Sequence, residues 1–314
     1  LIHALGSAGR VLVVGIGGGG DVVGALAVVE LARLLGTPAV AGGLTWERRP
    51  IDPIPGPRRI DELRDARPIN AATALAGPDT TGPGGFHFAE SHVSRLLGEP
   101  VLLLDPSAGP AAIAAGLAGA AAHLRCDRVV LLDVGGDVLA HGDEAGLASP
   151  LADAVCLAAA PALHAAGLQP LLAVFGAGCD GELTPTEVLD RVAEVARAGG
   201  HVGTWGPGRD EVRRLQAVVA QVPTEASAMA IACARGKTGT SSIRGGRRTV
   251  QLTPAGGLVF FFDPLAALHS AARCAALVEH VTSLAQGNEI LLAQGMRTEL
   301  EYETENAAAS APDG

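Results

Sequence analysis

Val11-Leu12-Val13-Val14-Gly15-Ile16-Gly17-Gly18-Gly19-Gly20-Asp21-Val22-Val23-Gly24 is the stretch that decides the fold. Four consecutive apolar residues running into glycine describe a strand buried on both faces, because a strand with one wet face would alternate. Asp21 to Leu35 then reads as a helix that Gly36 ends. The glycines between strand and helix allow a sharp turn and a close backbone approach to a ligand. The helix start offers unpaired N–H groups and a partial positive charge, which together suit an anion.

The same unit recurs downstream. Ala39–Ala41, Val101–Leu104, Val129–Leu132 and Leu171–Phe175 are short apolar runs, and Ala111 to Leu124 is an Ala-rich helical stretch. Apolar strands alternating with helices predict an α/β, doubly wound (Rossmann-like), mostly parallel sheet with helices on both faces and right-handed crossovers. After Thr184 an elaborated C-terminal part is expected. It holds helices at Thr186–Ala198, Asp210–Ala220 and Glu225–Ala234, a strand pair (Thr249–Leu252 and Leu258–Phe262) turning around Pro254–Gly257, and a long helix from Ala266 to Gln286. Without an internal repeat or linker, residues 1–305 read as one domain. The Ala/Ser/Pro/Gly-rich residues 306–314 read as a disordered tail.

Composition narrows the function classes. The net charge is −10 and aromatics make up 3% of 314 residues, so the basic stripe and stacking platforms of a nucleic-acid binder are missing. Lys237 is the only lysine, so any Schiff-base chemistry would have to use it. Five widely spaced cysteines without a C-x-x-C pair give neither a zinc ribbon nor a disulfide framework and fit a reducing cytoplasm. No signal peptide is recognised. Ala154 to Cys179 is long enough to span a bilayer, but Pro161, Gly167, Gln169 and Pro170 interrupt it. A buried helix, a turn and a strand are the better reading, and no membrane partner is expected.

Several carboxylates follow predicted strands: Asp21, Asp105, Asp133, Asp137, Asp180 and Glu182. In such a sheet these positions project toward one crevice. Clustered acids there can bind Mg²⁺, share protons or hold an amine. In Asp133-Val134-Gly135-Gly136-Asp137 the glycine pair lets both carboxylates reach one ligand. Thr45 to Arg59, which contains Trp46, Glu47, Arg48 and Arg49, is a proline-rich loop. Its prolines lower the entropy cost of holding arginines for bidentate recognition of carboxylate or phosphate. Glu90, in Phe86-His87-Phe88-Ala89-Glu90-Ser91-His92, is an acid/base candidate. Glu225 opens a helix, and Gly236-Lys237 to Arg244-Gly245-Gly246-Arg247-Arg248 forms a second Gly-, Ser- and Arg-rich loop without Walker A spacing. Cys179 has no histidine beside it in sequence and reads as an inert thiol. A nicotinamide dinucleotide fits the first turn poorly. Asp21 stands where the pyrophosphate would lie, and Gly42-Gly43-Leu44 replaces the acid expected on the ribose.

Gly15–Gly24, Leu44–Arg58, Asp133–Asp137, Asp180–Glu182, Pro223–Ser227 and Ile243–Arg247 together resemble an uncharacterised prokaryotic family of unknown function, found mainly in archaea and actinobacteria. The resemblance covers nearly the whole chain and implies fold and site without an activity. It also implies that serine is commoner at the position of Cys179. The Asp-Val-Gly-Gly-Asp run is similar, over that loop alone, to D-glutamate cyclase-like lyases.

These readings point to a cytoplasmic small-molecule enzyme acting on a carboxylate- or phosphate-bearing substrate, by lyase or cyclase chemistry first and hydrolysis second. Gly17, Gly18, Gly19 and Gly20 with Arg48 and Arg49 would hold the anion. Trp46, Glu47, Asp180, Glu225, Lys237 and Arg244 would complete the substrate site. Asp21, Asp133, Asp137 and Glu90 would move protons, or Asp133 and Asp137 would bind Mg²⁺. An NAD(P)-dependent oxidoreductase and a ligand-binding regulatory protein without turnover are the alternatives. The sequence is compatible with a homo-oligomer.

Overall fold

The computed structural model describes residues 1–310. From the amino end the chain runs through α1 (Ile2–Gly6), β1 (Val11–Gly15), α2 (Asp21–Leu34), β2 (Ala39–Leu44), β3 (Arg64–Pro68), β4 (Thr73–Thr81), α3 (Ala89–Leu97), β5 (Val101–Leu104), α4 (Gly109–Leu124) and β6 (Arg128–Val134). It continues with α5 (Leu151–Leu157), α6 (Ala160–Ala165), β7 (Leu171–Phe175), α7 (Pro185–Arg197), β8 (His201–Trp205), α8 (Arg209–Val219) and α9 (Ala226–Ala234). The last third holds β9 (Gly239–Ile243), β10 (Arg248–Leu252), β11 (Val259–Phe262), α10 (Pro264–Leu268), α11 (Arg273–Leu277), α12 (Leu284–Ala293) and α13 (Glu299–Ser310).

Nine strands form one sheet in the order β3-β4-β5-β2-β1-β6-β7-β11-β8. The five central strands, β5 to β7 in that order, are mutually parallel. The chain winds outward from β1 through β2 to β5, then returns to the other side of β1 as β6 and β7. The winding therefore reverses between β1 and β6, and in doubly wound sheets the crevice beyond the strand ends opens at that reversal. Alternate β1 residues enter opposite cores. Leu12 and Val14 pack with α4, α5 and α6 residues on one face, and Val11 and Val13 pack with α2, α8 and α9 residues on the other. Both faces are dry, which is why the run is apolar throughout.

The expected strand pair around Pro254–Gly257 does not form. Val259–Phe262 is buried at every position and takes a place between β7 and β8, antiparallel to both. Arg248–Leu252 buries only alternate residues from Val250 on and pairs with β9 in a separate two-stranded ribbon. A continuous apolar run belongs inside a sheet and a half-polar one on a ribbon. The expected helix from Ala266 to Gln286 is broken into α10, α11 and the start of α12. Asp263 caps α10, and Ser283 starts α12 afresh by accepting a hydrogen bond from the Gln286 amide. The edge strands β3 and β8 carry few buried residues and so gave no apolar signal. Residues 306–310, expected in a disordered tail, continue α13, and 311–314 lie outside the described residues. Among the described residues no helix is long and apolar enough to cross a membrane.

Gly15 is where α2 meets β1. A methyl group there would lie 2.5 Å from the Asp21 carbonyl carbon and 2.7 Å from the Val22 nitrogen. Neither backbone atom can step aside. Gly15→Ala is expected to cost about 1–3 kcal/mol in urea denaturation, as overpacking does. Gly6→Ala, with open space around it, should cost nothing measurable.

Candidate active site

The first turn is engaged by a side chain of its own, the Asp21 carboxyl. Gly18, Gly19 and Gly20 adopt φ of 75°, 54° and 114°, conformations that only glycine takes without strain. This coil turns the Asp21 carboxylate back so that Oδ2 accepts hydrogen bonds from the Gly17 amide (3.0 Å) and the Val134 amide (3.3 Å). The Gly19 amide is spent on the Trp46 carbonyl, 2.9 Å away. Asp21 thus occupies the Gly17 amide that was expected to face an external anion, and Trp46 occupies that of Gly19.

Asp21 is joined across the β1–β6 reversal by Asp133 from β6 and Asp153 from α5. An oxygen from each lies within 4.8 Å of the others. Asp133 Oδ2 accepts from the Gly136 and Val138 amides, at 2.9 and 3.3 Å. Asp153 Oδ1 is buried and has no hydrogen-bond partner among the described residues. A second trio, Asp137, Asp180 and Glu182, converges on the same scale. Gly135 and Gly136, at φ 139° and 113°, make room for it, since a side chain on Gly135 would run into the Asp180 carboxyl. Asp133 near the end of β6 and Asp137 four residues on share one tight Gly-Gly turn, which links the two trios.

Burial dominates the electrostatics. It pushes Asp21 and Asp180 up to about 7, against hydrogen bonds and arginines that pull them down. Asp133, Asp137 and Asp153 are driven well above the carboxylate range by burial and by one another. Glu182 is the exception. Burial opposes its ionisation, but Arg248, Ser149 and Arg244 outweigh that and hold its pKa below normal. Its oxygens take Arg248 Nη1 (2.8 Å), Ser149 Oγ (2.6 Å) and the Ala148 and Ser149 amides (2.6 and 2.9 Å).

Glu90 projects from α3 beside Gly43, where any side chain would overlap its Oε1. The glycine that broke the ribose-binding pattern thus makes room for an acid from another element. Glu90 Oε2 is buried without a hydrogen-bond partner among the described residues, and burial with Glu47 and Asp21 nearby raises its pKa well above normal. Glu47 caps α3 by accepting the Ala89 amide at 2.5 Å, and burial pushes it up to about 7. A cleft of about 240 Å³, bounded by Ile51, Phe86, His87, His92 and Pro223, opens onto Glu47.

In the proline loop, Arg48 is already paired within the protein. Arg48 Nη2 donates to the Gly17 carbonyl (2.6 Å) and lies 3.4 Å from Glu299. Nη1 lies 3.6 Å from Glu303, and the guanidinium sits 4.6 Å over the Trp46 ring. Its charge is spent on α13. Trp46 Nε1 donates to Glu303 Oε2 at 2.9 Å, and Glu303 also accepts the Gly56 amide at 2.8 Å. Arg58 pairs with Asp52 at 3.0 Å and gathers the loop's carbonyls. Arg49 is half-buried in the same loop.

Glu225 lies outside the acid cluster. Both its oxygens accept the Arg244 amide at 2.8 Å, fixing the end of β9. Arg244 itself reaches Glu182 at 3.5 Å. Lys237 is exposed and its Nζ donates to Ser241 Oγ at 3.2 Å, with no hydrogen bond or ion pair to either acid trio among the described residues. Cys179 is fully buried with its Sγ 3.8 Å from that of Cys233, and this contact with burial pushes its thiol far up, which rules out a ready nucleophile. Sequence reasoning missed Asp153, Arg248, Glu299 and Glu303. Asp153 had a usable signal, as the lone acid in front of a long uncharged run.

No curated protein and no solved structure matches the chain. The profile of a family described as protein of unknown function (DUF1152) matches residues 12–307, which takes in both acid trios and all of the sheet but Val11. The chain belongs to the DUF1152 family.

Proposed function

We propose that this protein is an enzyme that uses a divalent cation, Mg²⁺ or Mn²⁺, held by Asp21, Asp133 and Asp153, to act on a phosphate- or carboxylate-bearing small molecule. The observation that carries the reading is the orphaned, buried Oδ1 of Asp153 within a trio of carboxylates at the reversal of the sheet. A buried polar atom without a partner is costly, and a cation supplies the missing interaction. An all-oxygen donor set suits a hard cation, whose ligands sit ~2.0–2.6 Å away. The nearby guanidinium, Arg48, is already spread over Glu299 and Glu303.

The bound cation would polarise a substrate oxygen or lower the pKa of a water. This chain's part is to fix the ligands. Gly17, Val134, Gly136 and Val138 amides orient Asp21 and Asp133, and Glu90 stands by as a buried carboxyl able to hold or release a proton. Elimination or ring closure on the substrate, and hydrolysis, are the reactions such a centre serves. With the anion position of the first turn taken by Asp21, a nicotinamide oxidoreductase loses its footing.

The test is thermal melting of chelator-treated protein with Mg²⁺ or Mn²⁺ added. A cation at ~100 times its Kd should stabilise the wild type by about 2.7 kcal/mol. Asp153→Asn should fold and show no such gain. A wild-type melting curve indifferent to either cation sinks the proposal and leaves proton sharing among the carboxyls as the reading. Turnover of a phosphate-bearing substrate that survives Asp133→Asn would remove Asp133 from the chemistry.

A further inference from the structure

We propose that a second divalent cation binds between Asp137 and Asp180, making the centre a two-cation site whose open coordination positions receive phosphate oxygens of the substrate. This rests on the reading of the first site as a cation site and adds to it a separate place and a substrate class.

Asp137, Asp180 and Glu182 each bring an oxygen within 4.8 Å of the others. The independent sign of a missing ligand is Asp180 Oδ1, buried and without a hydrogen-bond partner among the described residues, on a residue that is only 6% exposed. The arginines do not supply it. Arg248 Nη1 donates to Glu182 and to the Asp180 carbonyl, and Arg244 reaches Glu182. The two guanidinium groups thus address Glu182, and among the described residues neither forms an ion pair with Asp137 or Asp180. Glu182 already accepts from Ser149, Ala148, Arg244 and Arg248, so it lies at the edge of the site as a positioning residue.

Two carboxylates are an incomplete set for a cation. Mg²⁺ characteristically binds one or two carboxylates, keeps water on its other positions and takes the rest from substrate phosphate. The tight turn from Asp133 to Asp137 puts this site next to the first. Adjacent cations clamp the attacking and leaving oxygens of a phosphoryl group during in-line displacement. Arg244, its side chain 42% exposed and its backbone pinned by Glu225, stands at the rim where a further phosphate oxygen could accept from it. A monocarboxylate substrate would leave most of this machinery unused.

Mn²⁺ titration of chelator-treated full-length protein, followed by calorimetry and electron paramagnetic resonance, tests the assignment. Two equivalents per chain are expected, with a spin-coupled spectrum at saturation. Asp180→Asn and, separately, Asp137→Asn should each bind one equivalent with an uncoupled spectrum. Asp153→Asn should lose the other equivalent. A wild type that binds a single Mn²⁺ overturns the second site and leaves the first standing. A wild type that binds none overturns both. Two equivalents retained in both Asp137→Asn and Asp180→Asn would place the second cation elsewhere and overturn the assignment.

Discussion

Arg48→Ala should destabilise the protein by about 3–5 kcal/mol, the cost of removing one partner from a buried ion pair. The replacement strands two carboxylates rather than one, because Glu299 and Glu303 are 4% and 5% exposed and share this guanidinium. Both are tied down and cannot turn outward. Glu299 accepts the Leu151 and Ala152 amides at 3.1 and 2.8 Å, and Glu303 holds Trp46 and Gly56. The substitution also uncovers the Trp46 ring and frees the Gly17 carbonyl. Arg48→Lys should rescue little, since an ammonium cannot serve Gly17, Glu299 and Glu303 from one planar fork. Adding Glu299→Gln and Glu303→Gln to Arg48→Ala should recover most of the loss, because the stranded charges disappear. Urea denaturation of the four proteins gives the answer. A loss under 1 kcal/mol for Arg48→Ala alone would show that α13 does not depend on it.

That brace also explains which parts of the site were legible in the sequence. Asp21, Asp133, Asp137 and Asp180 could be found because each follows an apolar strand, and strand tips on one edge of a parallel sheet converge by topology alone. Asp153 comes from a short helix with no motif, and Glu299 and Glu303 return from a helix about 250 residues downstream of Arg48. No local pattern reports contacts at that separation. The same blindness reversed the meaning of Arg48. An arginine in a proline loop at a sheet edge is a reasonable anion clamp until two buried glutamates are found against it. Gly43 misled in a similar way. It removes an acid from β2 only to admit Glu90 from α3, and that exchange is visible only in space.

The metal-free protein should lose stability as the pH rises from 5 to 8, by on the order of 10 °C in melting temperature or more. Unfolded aspartates and glutamates give up their protons near pH ~4. Folded Asp21, Glu47 and Asp180 keep theirs until about pH 7, chiefly because burial penalises the charged form. Asp133, Asp137, Asp153 and Glu90 keep theirs to higher pH for the same first reason. Between those limits the folded state binds more protons than the unfolded state, so stability falls as the pH climbs. A rise to about 7, as for Asp21, is worth roughly 4 kcal/mol in full, and in a chain of this length each kcal/mol moves the midpoint by ~2–4 °C. The contribution is whole below about pH 4 and is spent once the pH has passed the folded values. Glu182 works in the opposite direction, its lowered pKa costing stability only as the pH falls through the acid range. The optimum should therefore lie on the acid side of neutrality. Mg²⁺ added at pH 8 should restore much of the loss, and at pH 5, where protons already occupy the carboxyls, it should do little. A melting temperature in chelator that stays level or rises from pH 5 to 8 would mean that these carboxyls are ionised in the folded protein without a cation, and that the burial argument is wrong.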